Sequence, residues 1–325
     1  YRSIRLSFST KNRMRNFIIN TALSIGFDAC GITKAETLSA DASYLQSWLK
    51  AGCHASMKYL ERNFDKRVNP KLLVPGCESI IVVLMNYFPS EMQLSAAPQI
   101  AKYAYSKIDY HKVLKTKLQQ LEKAITEKFG KNSFNDEVQH IFVDSAPVLE
   151  RRWAEKAGLG WIGKNKQLIH PGLGSYVFIG ILMMNAETEY DLPIKNRCGN
   201  CRKCIDSCPT QALSEEWLDA NKCISYLTIE CKTNIPEEFQ GKLSNYAVGC
   251  DICADVCPWN RKWAQPNRHP ELETASPIKK WNCKQWENLN QEEFESAFSK
   301  SAIEYVGYSK LKENISILME KFKKD

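Results

Sequence analysis

Cys198, Cys201, Cys204 and Cys208, followed at once by Pro209, spell C-x-x-C-x-x-C-x-x-x-C-P. Bacterial ferredoxins hold [4Fe–4S] cubanes with this run. The spacing is a geometric demand: three closely spaced thiolates wrap one face of a cube, and the fourth points away to ligate a different cluster. A second set of cysteines is therefore required, and Cys250-x-x-Cys253-x-x-x-Cys257-Pro258 supplies three of its members. Cys223, in NKCISY, is the candidate for the vacant place, with Cys231 as its competitor. Cys223 is preferred because it follows soon after the helix expected behind Cys208. One cluster is then expected on Cys198, Cys201, Cys204 and Cys257, the other on Cys208, Cys223, Cys250 and Cys253. A zinc ribbon needs only four ligands in C-x-x-C pairs, a poor fit to eight ordered cysteines with two Cys-Pro endings.

Composition bounds the rest of the chain. With 44% hydrophobic and 25% charged residues in 325, it reads as an ordinary globular protein of one or two domains. No apolar run reaches the roughly 20 residues that span a bilayer; the longest, Tyr176 to Met184, contains Gly180. Cys30, Cys53, Cys77 and Cys283 are scattered and Cys231 is left over. They read as small buried hydrophobes in a reducing, cytoplasmic compartment. A net charge of +7 favours a polyanionic partner, although many small-molecule enzymes are as basic. Tyr1 to Arg15 is basic, rich in serine and free of acids. It overlaps in composition with a transit peptide but reads better as a basic arm entering a helix near Asn12. Lys321 to Lys324 reads as a solvated helix end.

Apolar spacing over residues 12–25 predicts a helix stopped by Gly26, then a strand Phe27 to Ile32. Further helices are expected over Tyr44 to Leu49 and Met57 to Phe64. The continuous apolar run Ser79 to Met85 predicts a strand buried on both faces. A long amphipathic helix is expected from His111 to Phe129, ended by Gly130, and strands over Val138 to Val143 and Leu173 to Met184. Between those strands a helix Val148 to Ala157 is expected, capped by Ser145 with Pro147 in its first turn. The fold class is α+β: a mixed α/β domain (residues 1–190), a ferredoxin-like two-cluster module (191–265) and a helical tail (266–325) packed back on the body. Gly158, Gly160 and Gly163 spell G-x-G-x-x-G, but the motif follows a helix instead of opening one after a strand, so no nicotinamide site is read there.

A two-cluster module moves single electrons, so the larger domain must hold the acceptor. Its residues carry a resemblance. VDSAPVLERRWAEKAGLGWIGKN (143–165), GSYVFIG, the module CGNCRKCIDSCPTQAL and CISYLTIE occur in this order, with DKRVNPKLLVPG (65–76) and IDYHKVL (108–114) upstream. Over nearly its whole length the sequence resembles the epoxyqueuosine reductase family, in a short form without a HEAT-repeat extension. The resemblance implies cobalamin bound between the N-terminal domain and the cluster module. It implies reduction of epoxyqueuosine to queuosine at the wobble position of tRNA, the last step of queuosine synthesis. Electrons from an external low-potential donor would pass through the two clusters to cobalamin, whose reduced form attacks the epoxide. Asp144 would protonate the departing oxygen, and a second electron and proton would complete loss of water.

For that role the Asp144 carboxyl must hold a proton. A helix N-terminus would work against this, and burial against the cofactor would favour it. By the same resemblance Arg67, Asp144, Arg151, Lys164, Asn165 and Ser225 are candidate cobalamin contacts. Lys222 and Lys232 are candidate tRNA contacts, and Trp161 or Tyr226 could stack on the splayed base. The DxHxxG motif that supplies a lower axial histidine is absent; the nearest match, Asp109-Tyr110-His111, lacks the glycine. A base-off cobalamin in a monomeric enzyme is therefore expected, with no membrane partner. Two rivals remain open on the sequence: a reductive dehalogenase sharing the same cofactors, and a non-catalytic electron-transfer subunit.

Overall fold

The computed structural model describes residues 8–135 and 137–322. The basic residues before Phe8, and Lys323 and Lys324, lie outside it. Its centre is a four-stranded antiparallel sheet. In chain order the N-terminal elements are α1 (Phe8–Ile25), β1 (Ala29–Lys34), α2 (Ser39–Lys50), β2 (Ser79–Asn86), α3 (Tyr110–Phe129), β3 (Ile141–Phe142), α4 (Glu150–Lys156) and β4 (Val177–Met184). The strand order is β1-β2-β4-β3.

Every residue of β2 is buried, because helices cover both faces of the sheet. The pleat sends successive side chains to opposite sides. Ile81, Val83 and Met85 join Met14, Ile18 and Ala22 of α1 and Leu114, Leu118 and Leu121 of α3. Ile80, Val82 and Leu84 join Leu45 of α2 and Trp153 and Ala154 of α4. This is why SIIVVLM reads as a continuous apolar run: neither face is left for polar residues. Register places Val83 opposite both Cys30 and Gly180. Gly31 sits where the end of α4 crosses β1, and a Cβ there would lie 2.2 Å from the Ala157 carbonyl oxygen.

The long helix α3 follows its sequence signals. Asp109 caps it, accepting the His111 N–H at 3.0 Å, and Gly130 (φ 97°) ends it. Other elements depart from expectation. α1 begins at Phe8, ahead of Asn12, and β1 lies two residues beyond the expected strand. The helix expected over Met57 to Phe64 is a 3-10 turn (Lys58–Leu60) and a separate helix (Phe64–Val68), divided by Asn63 in the left-handed region (φ 56°). Of Val138 to Val143 only Ile141 and Phe142 pair. β4 starts at Val177, after a turn at Gly174 (φ 73°). Ser145 does not cap a helix: α4 starts at Glu150, with Leu149 before it and no side-chain cap. Pro147 disfavours helical geometry at Ala146, so the chain stays irregular from Val143 to Leu149.

A further core joins distant parts of the chain. Ala97, Ile100, Ala104 and Tyr105 pack with Ile224, Leu227 and Val248 of the cysteine-bearing segment and with Trp286, Phe298 and Ile315 of the tail. Gln99–Ile100 pairs in parallel with Tyr246–Val248. Asn314, fully buried in the last helix, donates to the carbonyls of Thr228 (2.9 Å) and Ala247 (2.8 Å). Lys102, also buried, reaches Asp251 (3.4 Å) and Asp255 (2.7 Å). The tail is thus part of the structure around the cysteines. Among the described residues no helix is long and apolar enough to cross a membrane.

Gly31→Ala must displace backbone and is expected to cost about 1–3 kcal/mol in urea unfolding. Gly241→Ala, in open space at φ −70°, is expected to leave stability unchanged or slightly raised.

Candidate functional site

The cysteine thiols act on one another in two neighbouring sets. Burial raises the Cys204 thiol, with Cys257 and Cys198 adding to the rise. Burial likewise raises Cys257, with Cys198 and Cys201 contributing. In the second group burial raises Cys250, and Cys223 and Cys208 reinforce it. Cys253 is raised by burial and then by Cys250 and Cys223. Such mutual repulsion between protonatable sulfurs is what cluster iron relieves. Cys204 also acts on Cys253, so the two groups adjoin. Cys231 stands apart, buried, its Sγ donating to the Thr233 carbonyl at 3.3 Å.

Iron–sulfur clusters fit these surroundings. A cavity of about 180 Å³ is lined by Cys198, Cys201, Cys204 and Cys257 together with Lys164 and Asn165. Asn165 is 3% exposed, and its Nδ2 has no partner, a donor free for a cluster sulfur. At the second group the Ala212 N–H donates to Cys208 Sγ at 3.3 Å. Hydrogen bonds of this kind tune cluster potential. Among the described residues no three His, Cys, Asp or Glu groups converge on a single metal ion.

Asp144 follows β3 and adopts a left-handed backbone (φ 57°). Its N–H donates to Glu150 Oε1 at 2.7 Å. Its Oδ2 accepts from the Tyr110 hydroxyl and lies 3.9 Å from His111 Nε2. His111 Nδ1 is in turn 2.7 Å from Asp109. Tyr110 is held by stacking on Phe178 at 3.9 Å. Burial and then the Asp144 charge keep its phenol protonated far above the ordinary range. Burial and then Asp144 also push Glu150 up to about 8. The Asp144 side chain itself is 59% exposed, so no protein surface buries it. Tyr59 and Tyr103 both feel its charge together with those of Glu230 and Tyr305, so side chains from the N-terminal part, the cysteine segment and the tail lie near one another here.

Of the other expected site residues, Arg67 lies beside Tyr59. It is 8% exposed, its guanidinium donates to the Tyr59 carbonyl at 3.2 Å, and its Nε has no partner. Ser225 lies in the helix Ile224–Ile229, beside Tyr226, whose hydroxyl is 2.7 Å from Ser56 Oγ. Lys164 and Asn165 line the cavity of the first cysteine group, with Lys164 also paired to Glu215 at 3.1 Å. Arg151 is exposed on α4 and donates to the Lys166 carbonyl. Lys222 pairs with Asp219 at 3.5 Å, and Lys232 lies over the Tyr305 ring at 5.4 Å. Trp161 is fully buried, edge-on to Trp259 at 4.8 Å, and presents no face to a base. Sequence reasoning passed over Glu150 and Tyr110. The signal for Glu150 was an acid at the first turn of the helix after Asp144; for Tyr110 it was its place inside Asp109-Tyr110-His111.

Two adjoining sets of thiols in a chain with an acidic turn at Asp144 define a class, the iron–sulfur oxidoreductases. Residues 197–260 match the family model of the 4Fe-4S double cluster binding domain, and residues 67–145 that of "Epoxyqueuosine reductase QueG, DUF1730". The chain is 43% identical to the epoxyqueuosine reductase of Cellulophaga algicola, over 95% of this chain and 99% of the relative. It is 45% identical to that of Leadbetterella byssophila, over 92% and 96%. It superposes with a TM-score of 0.83, at 33% identity, on a crystal structure of epoxyqueuosine reductase with a tRNA-Tyr epoxyqueuosine-modified stem loop, covering 96% of this chain and 82% of that one. The Bacillus subtilis enzyme with its catalytic loop swung out of the active site gives 0.84 at 32%, with the same coverage. A reductive dehalogenase described as B12-dependent has the same fold at a TM-score of 0.50 and 17% identity, over 79% of this chain and 33% of that one. The chain belongs to the epoxyqueuosine reductase family, oxidoreductases that reduce epoxyqueuosine to queuosine.

Cys223→Ala is expected to halve the iron content of anaerobically reconstituted protein, with Cys231→Ala leaving it unchanged; iron analysis and electron paramagnetic resonance check both.

Proposed function

We propose that the chain reduces epoxyqueuosine at the wobble position of tRNA, using cobalamin bound at Asp144 and two [4Fe–4S] clusters fed by an external low-potential donor. One cluster is assigned to Cys198, Cys201, Cys204 and Cys257, the other to Cys208, Cys223, Cys250 and Cys253. The observation that carries the reading is the Asp144 turn, whose exposed carboxylate acts on Tyr59 and Tyr103 together with Glu230 of the cysteine-bearing segment. When bound, the clusters supply single electrons and reduced cobalamin supplies a nucleophile for the epoxide carbon.

Arg67 offers an unpaired donor beside Tyr59. A buried guanidinium without a carboxylate partner is costly, and a phosphate or amide oxygen of cobalamin would satisfy it. Ser225 and Arg151 stand as further contacts. Lys164 and Asn165, by their place at the cavity of the first cysteine group, are reassigned from cobalamin to the surroundings of that cluster. His111 is tied to Asp109 and turned toward Asp144, which supports a cofactor taking no lower ligand from the protein. Asp144 delivers a proton to the departing epoxide oxygen, and Tyr110 orients the carboxyl that carries it. Tyr59 and Tyr305, both exposed, with Lys222 and Lys232, form the side from which the tRNA stem loop approaches. The functional units proposed are residues 1–190, 191–265 and 266–325. We place the enzyme in the cytoplasm, as a monomer.

Asp144→Asn is expected to abolish conversion of epoxyqueuosine-containing stem loop by cobalamin- and cluster-loaded protein, a loss of at least about 100-fold. Mass spectrometry of the nucleosides reads the missing oxygen. Conversion by Asp144→Asn at the wild-type rate would remove Asp144 from the chemistry, and failure of loaded wild-type protein would remove the tRNA substrate.

A further inference from the structure

Deoxygenating an epoxide to an alkene takes up two electrons and two protons. Both C–O bonds break, a C=C bond forms and one water leaves. The electrons have a path through the cysteine groups. The protons need one too, and it must end at a carboxyl that can reach the substrate. Asp144 is the exposed carboxyl here, with 59% of its side chain open. The burial expected of it from sequence is therefore not supplied by the protein.

Beneath it lies a second carboxyl. Glu150 opens α4, is partly buried, and accepts the Asp144 N–H at 2.7 Å. That bond holds the left-handed turn (φ 57°) closed over Glu150. Like charges this close cannot both ionise freely, and they titrate as a pair. We propose that Glu150 is the proton store behind Asp144: the two carboxyls share one proton, which passes from Glu150 through Asp144 to the epoxide oxygen. The proposal rests on Asp144 being the donor to substrate and adds the residue that charges it.

The groups facing the pair are consistent with this role. Tyr110, from α3, donates its hydroxyl to Asp144 Oδ2, which leaves the other oxygen to exchange with Glu150 and with substrate. Arg151, next along α4, draws Glu150 back toward the ionised form, but burial and the Asp144 charge outweigh it and set Glu150 at about 8. Glu150 thus holds its proton at neutral pH and loses it as pH rises through about 8. After the first transfer the pair carries two negative charges and must take up a proton from solvent for the second. His111, with 30% of its side chain exposed and Nε2 3.9 Å from Asp144 Oδ2, lies on that route. Glu150 acts through Asp144 and touches no reacting atom.

Glu150→Gln keeps an oxygen to accept the Asp144 N–H and removes the transferable proton. Single turnover of modified stem loop by cobalamin- and cluster-loaded Glu150→Gln is expected to fall about 100-fold at neutral pH, with stem-loop affinity unchanged. The fall of the wild-type rate with a midpoint near 8 is expected to vanish from its pH profile. In wild-type holoenzyme, infrared spectroscopy is expected to show a protonated carboxyl band that titrates near the same pH and is missing from the variant. Wild-type turnover by Glu150→Gln alongside an inactive Asp144→Asn would overturn the store and leave Asp144 as donor. An active Asp144→Asn would instead overturn the donor itself. Where Glu150→Gln does not fold, the wild-type infrared titration decides: absence of a carboxyl band titrating near 8 overturns the proposal.

Discussion

An ammonium group leaves water only with partners, and Lys102 is 5% exposed. Its Nζ reaches Asp251 and Asp255, and its backbone N–H donates to Asp251 at 2.7 Å. Asp251 stands between Cys250 and Cys253 in the chain. The next residue, Tyr103, lies edge-on to Tyr110 at 6.3 Å, and Tyr110 holds Asp144. A two-residue stretch thus links the ligand set proposed for one cluster to the group proposed to hand over protons. Removing one member of a buried pair costs about 3–5 kcal/mol, so this joint is among the least deformable in the molecule.

The cysteines were legible because their constraint is covalent and local. A cubane fixes how far apart its ligands sit, the chain can meet that only at certain spacings, and a complete run followed by one lacking a single cysteine points to where the missing ligand must be sought. Cys223 is preferred to Cys231 on chain order; in the structure Cys223 lies at the start of a helix within the influence of Cys208, and Cys231 is turned to Thr233. The central strands were equally legible, since a strand covered on both faces has no polar alternation to obscure it. α3 followed from a cap, a period and a terminating glycine, all within its own sequence.

What sequence did not disclose depends on partners far along the chain. Residues 97–105 carry no local sign that they pair with 246–248, because the Lys102 site exists only once Asp251 and Asp255 are in place. Trp161, an aromatic near the site residues, suggested a stacking platform, yet Trp259 and Ile169 close over it. Lys164 and Asn165, expected from sequence at cobalamin, line the cavity beside Cys198, Cys201, Cys204 and Cys257. A motif places residues near a site but does not say which wall of it they face. The Asp144 environment was misjudged in the same way. A Ser at position 145 with a Pro two residues on matches a helix start, but the pattern takes no account of Glu150 reaching back to bind the turn.

That turn is where the structure departs furthest from local preference. A residue other than glycine in the left-handed region carries a cost of about 1–2 kcal/mol, lower for aspartate, and it persists only where surroundings over-determine it. Here they do. The Asp144 N–H is taken by Glu150 of α4, its carboxylate by Tyr110 of α3, and its position along the chain is fixed by β3 at the edge of the sheet. Two of these restraints depend on protonation, since the phenol must keep its hydrogen and the carboxyl pair must not become fully charged. Tyr110 is buried enough to keep its proton at any ordinary pH, whereas Glu150 is not. The geometry of the turn and the supply of its proton are therefore controlled by the same buried acid. A change that discharges Glu150 sets two carboxylates against each other at the point where the backbone is already under strain.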